Sequence, residues 1–187
     1  MVFLLVSNLL LAAAYLCAAD ATRYEYKTLA TSKTSTMEKE MNEAAQAGFA
    51  FMAVMGGETA FGGKEVVIVM GRSSTAPSQV VYKLLAANKT STLEREMQQT
   101  AREGFEYKGQ TVFESAFGGR EVSVIMERDK SAAAKNPIYK LLAASKTSTL
   151  QKEVSEAGGD GYQLLGMTVS KTAFAGNEVV CILRKEQ

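Results

Sequence analysis

Hydrophobic and polar positions follow the same order three times along the chain. The copies begin YKTLATSKTST at Tyr26, YKLLAANKTST at Tyr82 and YKLLAASKTST at Tyr139. The second start lies 56 residues after the first, and the third lies 57 residues after the second. Self-similarity at a period of this size indicates one supersecondary unit used repeatedly. We therefore predict three tandem repeats, over residues 22–74, 79–131 and 136–187.

The periodicity within each copy predicts a strand, a helix and two further strands. A first strand rich in Tyr, Val and Leu ends at the polar KTST segment. Apolar residues then recur at helical spacing, as at Met37 and Met41 in the first copy. A serine followed three residues later by Glu or Gln predicts a capping box at each helix start. The three pairs are Ser35 with Glu38, Ser91 with Glu94, and Ser148 with Gln151.

Glycines and alternating apolar residues predict how each copy ends. Gly48, Gly104 and Gly161 are predicted to end the helices in a left-handed conformation. The turns AFGGKE, AFGGRE and AFAGNE then join two strands as a hairpin. In the last strand, EVVIVM, EVSVIM or EVVCIL, both faces are largely apolar, so one helix covers only one face. We predict an α+β fold of three tandem βαββ repeats, with antiparallel sheets each covered by one helix, in a pseudo-threefold arrangement.

The first 21 residues differ in composition from the three copies. They contain no charged side chain before Asp20 and end in small residues that suit cleavage at Ala19-Asp20-Ala21. This pattern predicts a secretory signal peptide over residues 1–21, and hence a periplasmic or secreted protein. An uncleaved membrane anchor is the alternative, because residues 2–19 form a short apolar run. After cleavage Cys181 is the one remaining cysteine, predicted to be a buried strand residue.

Short motifs recur in the copies, and in the first copy they are YEYK at 24–27, AGF at 47–49 and VVIVMGR at 66–72. By these motifs each copy resembles the domain-of-unknown-function family 4177, a family of small bacterial βαββ domains. EGF at 103–105 and DGY at 160–162 carry the resemblance in the later copies, where Phe or Tyr stands in place of the family's usual Trp. The resemblance implies a βαββ fold and no known activity.

Charge and residue usage narrow the function classes. The formal net charge is +1, so no overall positive field favours a nucleic-acid partner. The chain has no histidine, which removes the usual triads, dyads and catalytic zinc sites. A lysine nucleophile at Lys27, Lys83 or Lys140 is chemically possible, but an ordinary exposed lysine is the default interpretation. We predict no catalytic residues, no metal site and no cofactor.

Two sets of residues are candidate binding sites. A helix N-terminus presents free N–H groups and partial positive charge, so a neighbouring lysine and hydroxyls make an anion site plausible. That set is Lys33, Ser35 and Thr36, with Lys89, Ser91 and Thr92, and Lys146, Ser148 and Thr149. A simple helix cap repeated by duplication is the competing explanation. The second set is Phe61, Phe117 and Phe174, whose rings beside the hairpin turns would suit a partner or would fold back into the core.

The sequence favours an exported, non-enzymatic binding or scaffold protein of the cell envelope. Such a protein acts through a protein partner or through self-association, without nucleic acid, and the mature chain contacts no membrane unless residues 1–21 stay uncleaved. A binder of small anions or small molecules at the KTST helix ends is the alternative. A hydrolase is the third hypothesis.

Overall fold

The computed structural model describes residues 23–59, 63–73, 79–114, 120–172 and 176–187. The element order β-α-β-β occurs three times in these residues. The first unit contains β1 (Tyr24–Thr31), α1 (Thr34–Gln46), β2 (Ala50–Thr59) and β3 (Gly63–Ser73). The second contains β4 (Val80–Ala87), α2 (Thr90–Arg102), β5 (Glu106–Glu114) and β6 (Arg120–Asp129). The third contains β7 (Ile138–Ala144), α3 (Thr147–Gly159), β8 (Gln163–Thr172) and β9 (Gly176–Lys185). The predicted α+β class with internal repetition is confirmed.

Each unit forms its own three-stranded antiparallel sheet. The strand orders are β1-β3-β2, β4-β6-β5 and β7-β9-β8, so the last strand of each unit lies in the centre. This is the strand whose two apolar faces were predicted to need cover on both sides. The second strand of each unit carries a bulge at the matching place, between Phe51 and Ala53 in β2 and between Tyr107 and Gly109 in β5. The bulge shifts which side chains share a face of the strand.

The helix starts differ from the sequence prediction. Lys33, Lys89 and Lys146 are the N-cap residues, and none of their side chains forms a capping hydrogen bond. Each helix therefore begins before its KTST serine, and the predicted capping boxes are wrong. Glu38, the glutamate of the capping box predicted in the first copy, accepts a hydrogen bond from the following unit instead. Leu84 N–H donates to Glu38 Oε2 over 2.8 Å. The glycine prediction is confirmed, because Gly48 and Gly104 have φ of 87° and Gly161 has φ of 88°.

The cores of the first two units are completed by the unit that follows. Helix α1 buries Met37 and Met41 against its own sheet, and the same cluster includes Tyr82 and Ile125 from the second unit. The second core likewise takes in Tyr139, Leu141, Val180 and Ile182 from the third unit. Among the described residues the third core has three fully packed members, Ala157, Cys181 and Leu183, and none from another unit. Neighbouring units thus supply the cover predicted from the two-faced strands.

Candidate functional site

The first junction between units is a set of hydrogen bonds from α1 to the outer edge of β4. Asn42 Nδ2 donates to the carbonyl of Tyr82, and Asn42 Oδ1 accepts from the N–H of the same residue, each over 2.9 Å. Two residues further along β4, Leu84 N–H donates to the Glu38 carboxylate. An edge strand otherwise leaves such groups open for pairing with another chain. Polar side chains of one unit therefore close the strand edge of the next.

The second junction uses the same helix positions. Gln98 Oε1 accepts from Tyr139 N–H over 3.0 Å, and Gln98 Nε2 donates to the carbonyl of Pro137 over 3.1 Å. Leu141 N–H donates to Glu94 Oε2 over 2.7 Å. The carboxylate and the amide oxygen accept from equivalent strand N–H groups in both junctions, whereas the amide nitrogen donates to Tyr82 in the first and to Pro137, two residues before Tyr139, in the second. The two junctions therefore share one design in the N–H groups that the helix accepts. We call it the helix-to-edge junction.

A buried tyrosine ties each junction to the sheet of the preceding unit. The Tyr82 hydroxyl accepts from Phe51 N–H and donates to Glu127 Oε2, each over 2.8 Å. The Tyr139 hydroxyl accepts from Tyr107 N–H over 2.8 Å. Burial raises the pKa of Tyr82 above its ordinary value and raises the pKa of Tyr139 to about 12. Both hydroxyls are therefore neutral at physiological pH and serve as hydrogen-bonding groups.

Aromatic rings also cross the junctions, and they approach glycine backbones. A Cβ added at Gly109 would lie 2.9 Å from Cζ of Phe51, which belongs to the preceding unit. A Cβ added at Gly166 would lie 2.3 Å from the Tyr107 hydroxyl oxygen. Each glycine follows the bulge of its strand, where the missing side chain leaves space for the incoming ring. The junction is thus a packed interface as well as a hydrogen-bonded one.

In each junction the helix of one unit contacts the edge strand of the next unit. The equivalent edge strand of the first unit, β1, is exposed to solvent. Tyr26 occupies the strand position of Tyr82 and Tyr139, yet it is 61% exposed where they are 2% and 3% exposed. Its ring lies against the Gly71 backbone, as does the side chain of Met52. The large exposed apolar residues of this unit are Tyr24, Tyr26, Met52 and Met55. We call these four residues, with the outer edge of β1, the N-terminal end face.

The third unit exposes the other side of the junction, which is the side formed by the helix and the second strand of a unit. Its large exposed apolar residues are Leu164, Met167 and Val169, which correspond in the repeat to Tyr107, Gln110 and Val112. Helix α3 buries Ala157 alone, whereas α1 and α2 bury four residues each. Gln151 and Ser155 stand at the junction positions of α3, and Gln151 Nε2 donates to Ser155 Oγ over 2.9 Å. These five residues, the three apolar ones with Gln151 and Ser155, form the C-terminal end face.

The large exposed hydrophobic side chains that the structure describes lie on these two end faces. Among the residues whose side chains the structure describes, no large hydrophobic residue of the second unit is exposed. The second unit is the one with a neighbour on each side. The distribution follows from the junction, because each unit covers the next, and in the described part of the chain the two terminal faces are the ones that no other unit covers.

The predicted KTST sites lie at the starts of three separate helices. Their lysines and serines are exposed, and Ser91 of the second copy lines a groove between units. That groove has a volume of about 710 Å³ and places Ser91 with Arg95, Arg102 and Lys140. Ser148 and Thr149 line a smaller depression of about 460 Å³ on α3 itself. The structure therefore brings cationic side chains together beside the predicted position of the second copy.

The remaining sequence predictions concern the hairpin phenylalanines, a lysine nucleophile, metal binding and a membrane anchor. Phe61, Phe117 and Phe174 lie outside the described residues. Lys83 forms an ion pair with Glu103 and lies over the ring of Phe105. Within the described ranges, no group of three or more acidic, cysteine or histidine side chains is placed to hold a metal ion. No helix in that same part of the chain is both long and apolar enough to cross a membrane.

Comparisons with protein-family models, curated proteins and solved structures give no match. The resemblance to family 4177 therefore stays a prediction.

Sequence reasoning missed the residues that form the junctions. Asn42 and Gln98 are polar helix positions whose partners lie in the next unit, so no local pattern shows their role. The tyrosine at the start of each copy was a usable signal, because Tyr26, Tyr82 and Tyr139 all precede a lysine at one repeat position. Cys181 is buried as predicted, and this burial raises the pKa of its thiol.

Proposed function

We propose that this protein is an exported, non-enzymatic binding or scaffold protein that acts through its two end faces. The observation that carries the proposal is that the large exposed hydrophobic side chains, among those that the structure describes, lie on those faces, and that Tyr26 is exposed where the internal junctions bury Tyr82 and Tyr139. Contiguous exposed apolar patches on soluble proteins commonly mark interaction sites. A periplasmic or secreted location, with residues 1–21 removed, is part of the proposal and rests on the sequence pattern.

The end faces also bear on the predicted pseudo-threefold arrangement. A ring closed within one chain would place α3 against β1 and bury Tyr26, as α1 buries Tyr82. The exposure of β1 at positions 24–28 favours an open series of three units related by one repeated contact. In such a series the terminal faces are free to bind partners.

Site-specific photo-crosslinking tests this function. A photoreactive residue replaces Met167 or Tyr26 in the protein made by its own cells, and a matched control places it at Ala133, which is exposed in the linker between the second and third units. We expect crosslinks to another macromolecule from both end positions and none from the control. Absence of crosslinks from both end positions would refute the proposed function, and mass spectrometry of any product identifies the partner.

A specific observation favours a second function, the binding of a small anion. Arg95, Arg102 and Lys140 line the groove that contains Ser91, and their charges would attract a phosphate or carboxylate group. Titration with inorganic phosphate should raise the melting temperature of the protein, because a ligand that binds the folded state stabilises it. Arg95→Ala should abolish this rise, whereas Lys152→Ala at the matching position of α3 should not. Equal rises in both variants would argue against this groove.

A further inference from the structure

We propose that the partner of each end face is a second copy of this chain, bound head to tail. The C-terminal end face of one copy would pack on the N-terminal end face of the next, through the same contact that joins the units within a chain. This inference rests on the proposed binding function of the end faces. The partner is identified from the internal junctions, because the two end faces carry groups equivalent to those that form the contacts there.

The polar contacts of the junction have counterparts on the two faces. In both internal junctions a side-chain oxygen of the helix accepts an N–H from the edge strand, at Leu84 and at Leu141. Gln151 holds that helix position in α3, and its Oε1 is an acceptor suited to the N–H of Thr28 in β1 of a second copy. Ser155 replaces Asn42 and Gln98, and its hydroxyl can accept from Tyr26 N–H.

The strand register leaves these amides on the outer edge of β1. Tyr26 lies opposite Gly71 in the pairing of β1 with β3, as Tyr82 lies opposite Glu127 in the pairing of β4 with β6. The N–H of Tyr82 is the one that Asn42 receives. By the same register, the N–H groups of Tyr26 and Thr28 point away from β3. They are an open edge of the kind that pairs with another chain.

The hydrogen bond from a backbone N–H to a tyrosine hydroxyl also has its donor on one end face and its acceptor on the other. In the internal junctions the hydroxyls of Tyr82 and Tyr139 accept from the backbone N–H of Phe51 and Tyr107. Leu164 of the third unit is equivalent to Phe51 and Tyr107 in the repeat, and its N–H would donate to the hydroxyl of Tyr26 in a second copy. A backbone donor does not depend on the side chain, so the change from an aromatic residue to leucine keeps this bond available.

The apolar residues complete the match. Val54 and Gly56 of β2 approach Gly109 and Thr111 of the second unit, at positions that Met167 and Val169 occupy in the third. On the receiving strand, Met55 holds the position of buried Thr111. Docking would therefore cover Met167, Val169 and Met55 together. It would also bring Tyr26 to the half-buried Leu150 and Val154, as Tyr82 joins Met37 and Met41.

Several substitutions make the end contact weaker than the internal ones. Ser155 offers one hydroxyl where Asn42 and Gln98 each supply a donor and an acceptor to the strand edge. Thr28 stands in β1 where the later copies have leucine. We therefore infer reversible association that depends on concentration. Because the two faces differ, the contact is heterologous and extends to a ring or an open filament.

Sedimentation velocity of the protein, purified with its leader processed as its own cells process it, tests the inference. Tyr26→Asp blocks the N-terminal end face and Met167→Asp blocks the C-terminal one. Both residues are more than half exposed, at 61% and 57%, so neither substitution disturbs the core of the chain, and unchanged thermal melting checks this. Ala133→Asp, at an exposed position of the linker between the second and third units, is the matched control.

We expect the wild-type protein and Ala133→Asp to show larger species as concentration rises. Each blocked variant alone should associate about tenfold or more weakly, as expected when the centre of an interface is altered. An equimolar mixture of the blocked variants should form a 1:1 dimer and stop there, because each supplies the face that the other lacks. This complementation would not arise from an interface made of two identical faces.

Several outcomes would overturn the inference. A wild-type protein that stays monomeric at every concentration would do so, as would blocked variants that associate like the wild type or a mixture that forms no dimer. If the protein is monomeric while photo-crosslinking at Met167 captures a different macromolecule, the head-to-tail inference fails and the proposed binding function stands. If crosslinking also gives no product, both fail.

Discussion

Asn42→Ala removes the side chain that closes the edge of β4. It deletes the two contacts of 2.9 Å with Tyr82, and a third from Asn42 Nδ2 to the Glu38 carbonyl within α1, and it leaves the N–H and C=O of Tyr82 without these partners in a half-buried setting. An unpaired buried polar group costs about 1–3 kcal/mol, so two such groups cost about 2–4 kcal/mol, allowing for partial access of water. Alanine offsets about 0.5 kcal/mol of this through its better helix propensity. We expect the free energy of unfolding to fall by about 1.5–3.5 kcal/mol.

Urea unfolding followed by circular dichroism measures this loss, and the repeat supplies matched controls. Gln98→Ala removes the equivalent contact at the second junction and should cost a similar amount. Ser155→Ala alters the same helix position in α3, where the side chain is exposed, and should change stability by less than about 0.5 kcal/mol for a protein held in its monomeric state. Equal effects of all three substitutions would refute the reasoning, because the junction would then contribute nothing beyond the helix itself.

Three further predictions concern single residues of the junctions. Ser123 is buried, and its hydroxyl has no hydrogen-bond partner among the described residues. The other two units have valine at this position, so Ser123→Val should raise the free energy of unfolding in urea by about 1 kcal/mol, and a loss would contradict this expectation. Gly166→Ala should lower the melting temperature, because the new Cβ would lie 2.3 Å from the Tyr107 hydroxyl, and a combined Tyr107→Phe change should recover part of the loss. Burial raises the pKa of Tyr139 to about 12, above the ordinary value of 10.0, so the folded protein holds this proton where the unfolded chain has lost it. Stability should consequently fall as pH rises from 10 towards 12, by on the order of 2 kcal/mol more than in Tyr139→Phe; parallel pH profiles would contradict this.

Local patterns along the sequence were sufficient for the elements of the fold. Period-two alternation identified the strands, and helical spacing of Met37 and Met41 identified the buried side of α1. The φ values of Gly48, Gly104 and Gly161 follow from their place after the last helical turn. These features depend on residues close in the chain, so a single sequence contains the information needed.

The junction chemistry depends on residues far apart in the chain. Glu38 fits a capping box locally, but its carboxylate accepts from Leu84, which lies 46 residues away. A capping box and a long-range acceptor use the same residue types, so spacing alone does not distinguish them. Only the packing of α1 against β4 decides between the two.

The end faces were hidden from sequence reasoning for a related reason. Tyr26 and Tyr82 stand at one position of the same motif, and both read as strand residues of a core. Which one is covered depends on whether another unit precedes it in the chain. Equivalent positions in the three copies have similar residues, so the sequence does not indicate which copy is exposed. The exposure becomes visible only when the arrangement of the units is known.

Residue-resolved amide hydrogen exchange at increasing protein concentration tests the central claim most directly. The N–H groups of Tyr82 and Leu84 are the internal reference, because side chains of α1 already accept from them. We predict that the amides of Tyr26 and Thr28 exchange fast in dilute protein and become protected as concentration rises, approaching that reference. If they exchange equally fast at every concentration while the protein associates, the end faces are not two halves of the helix-to-edge junction.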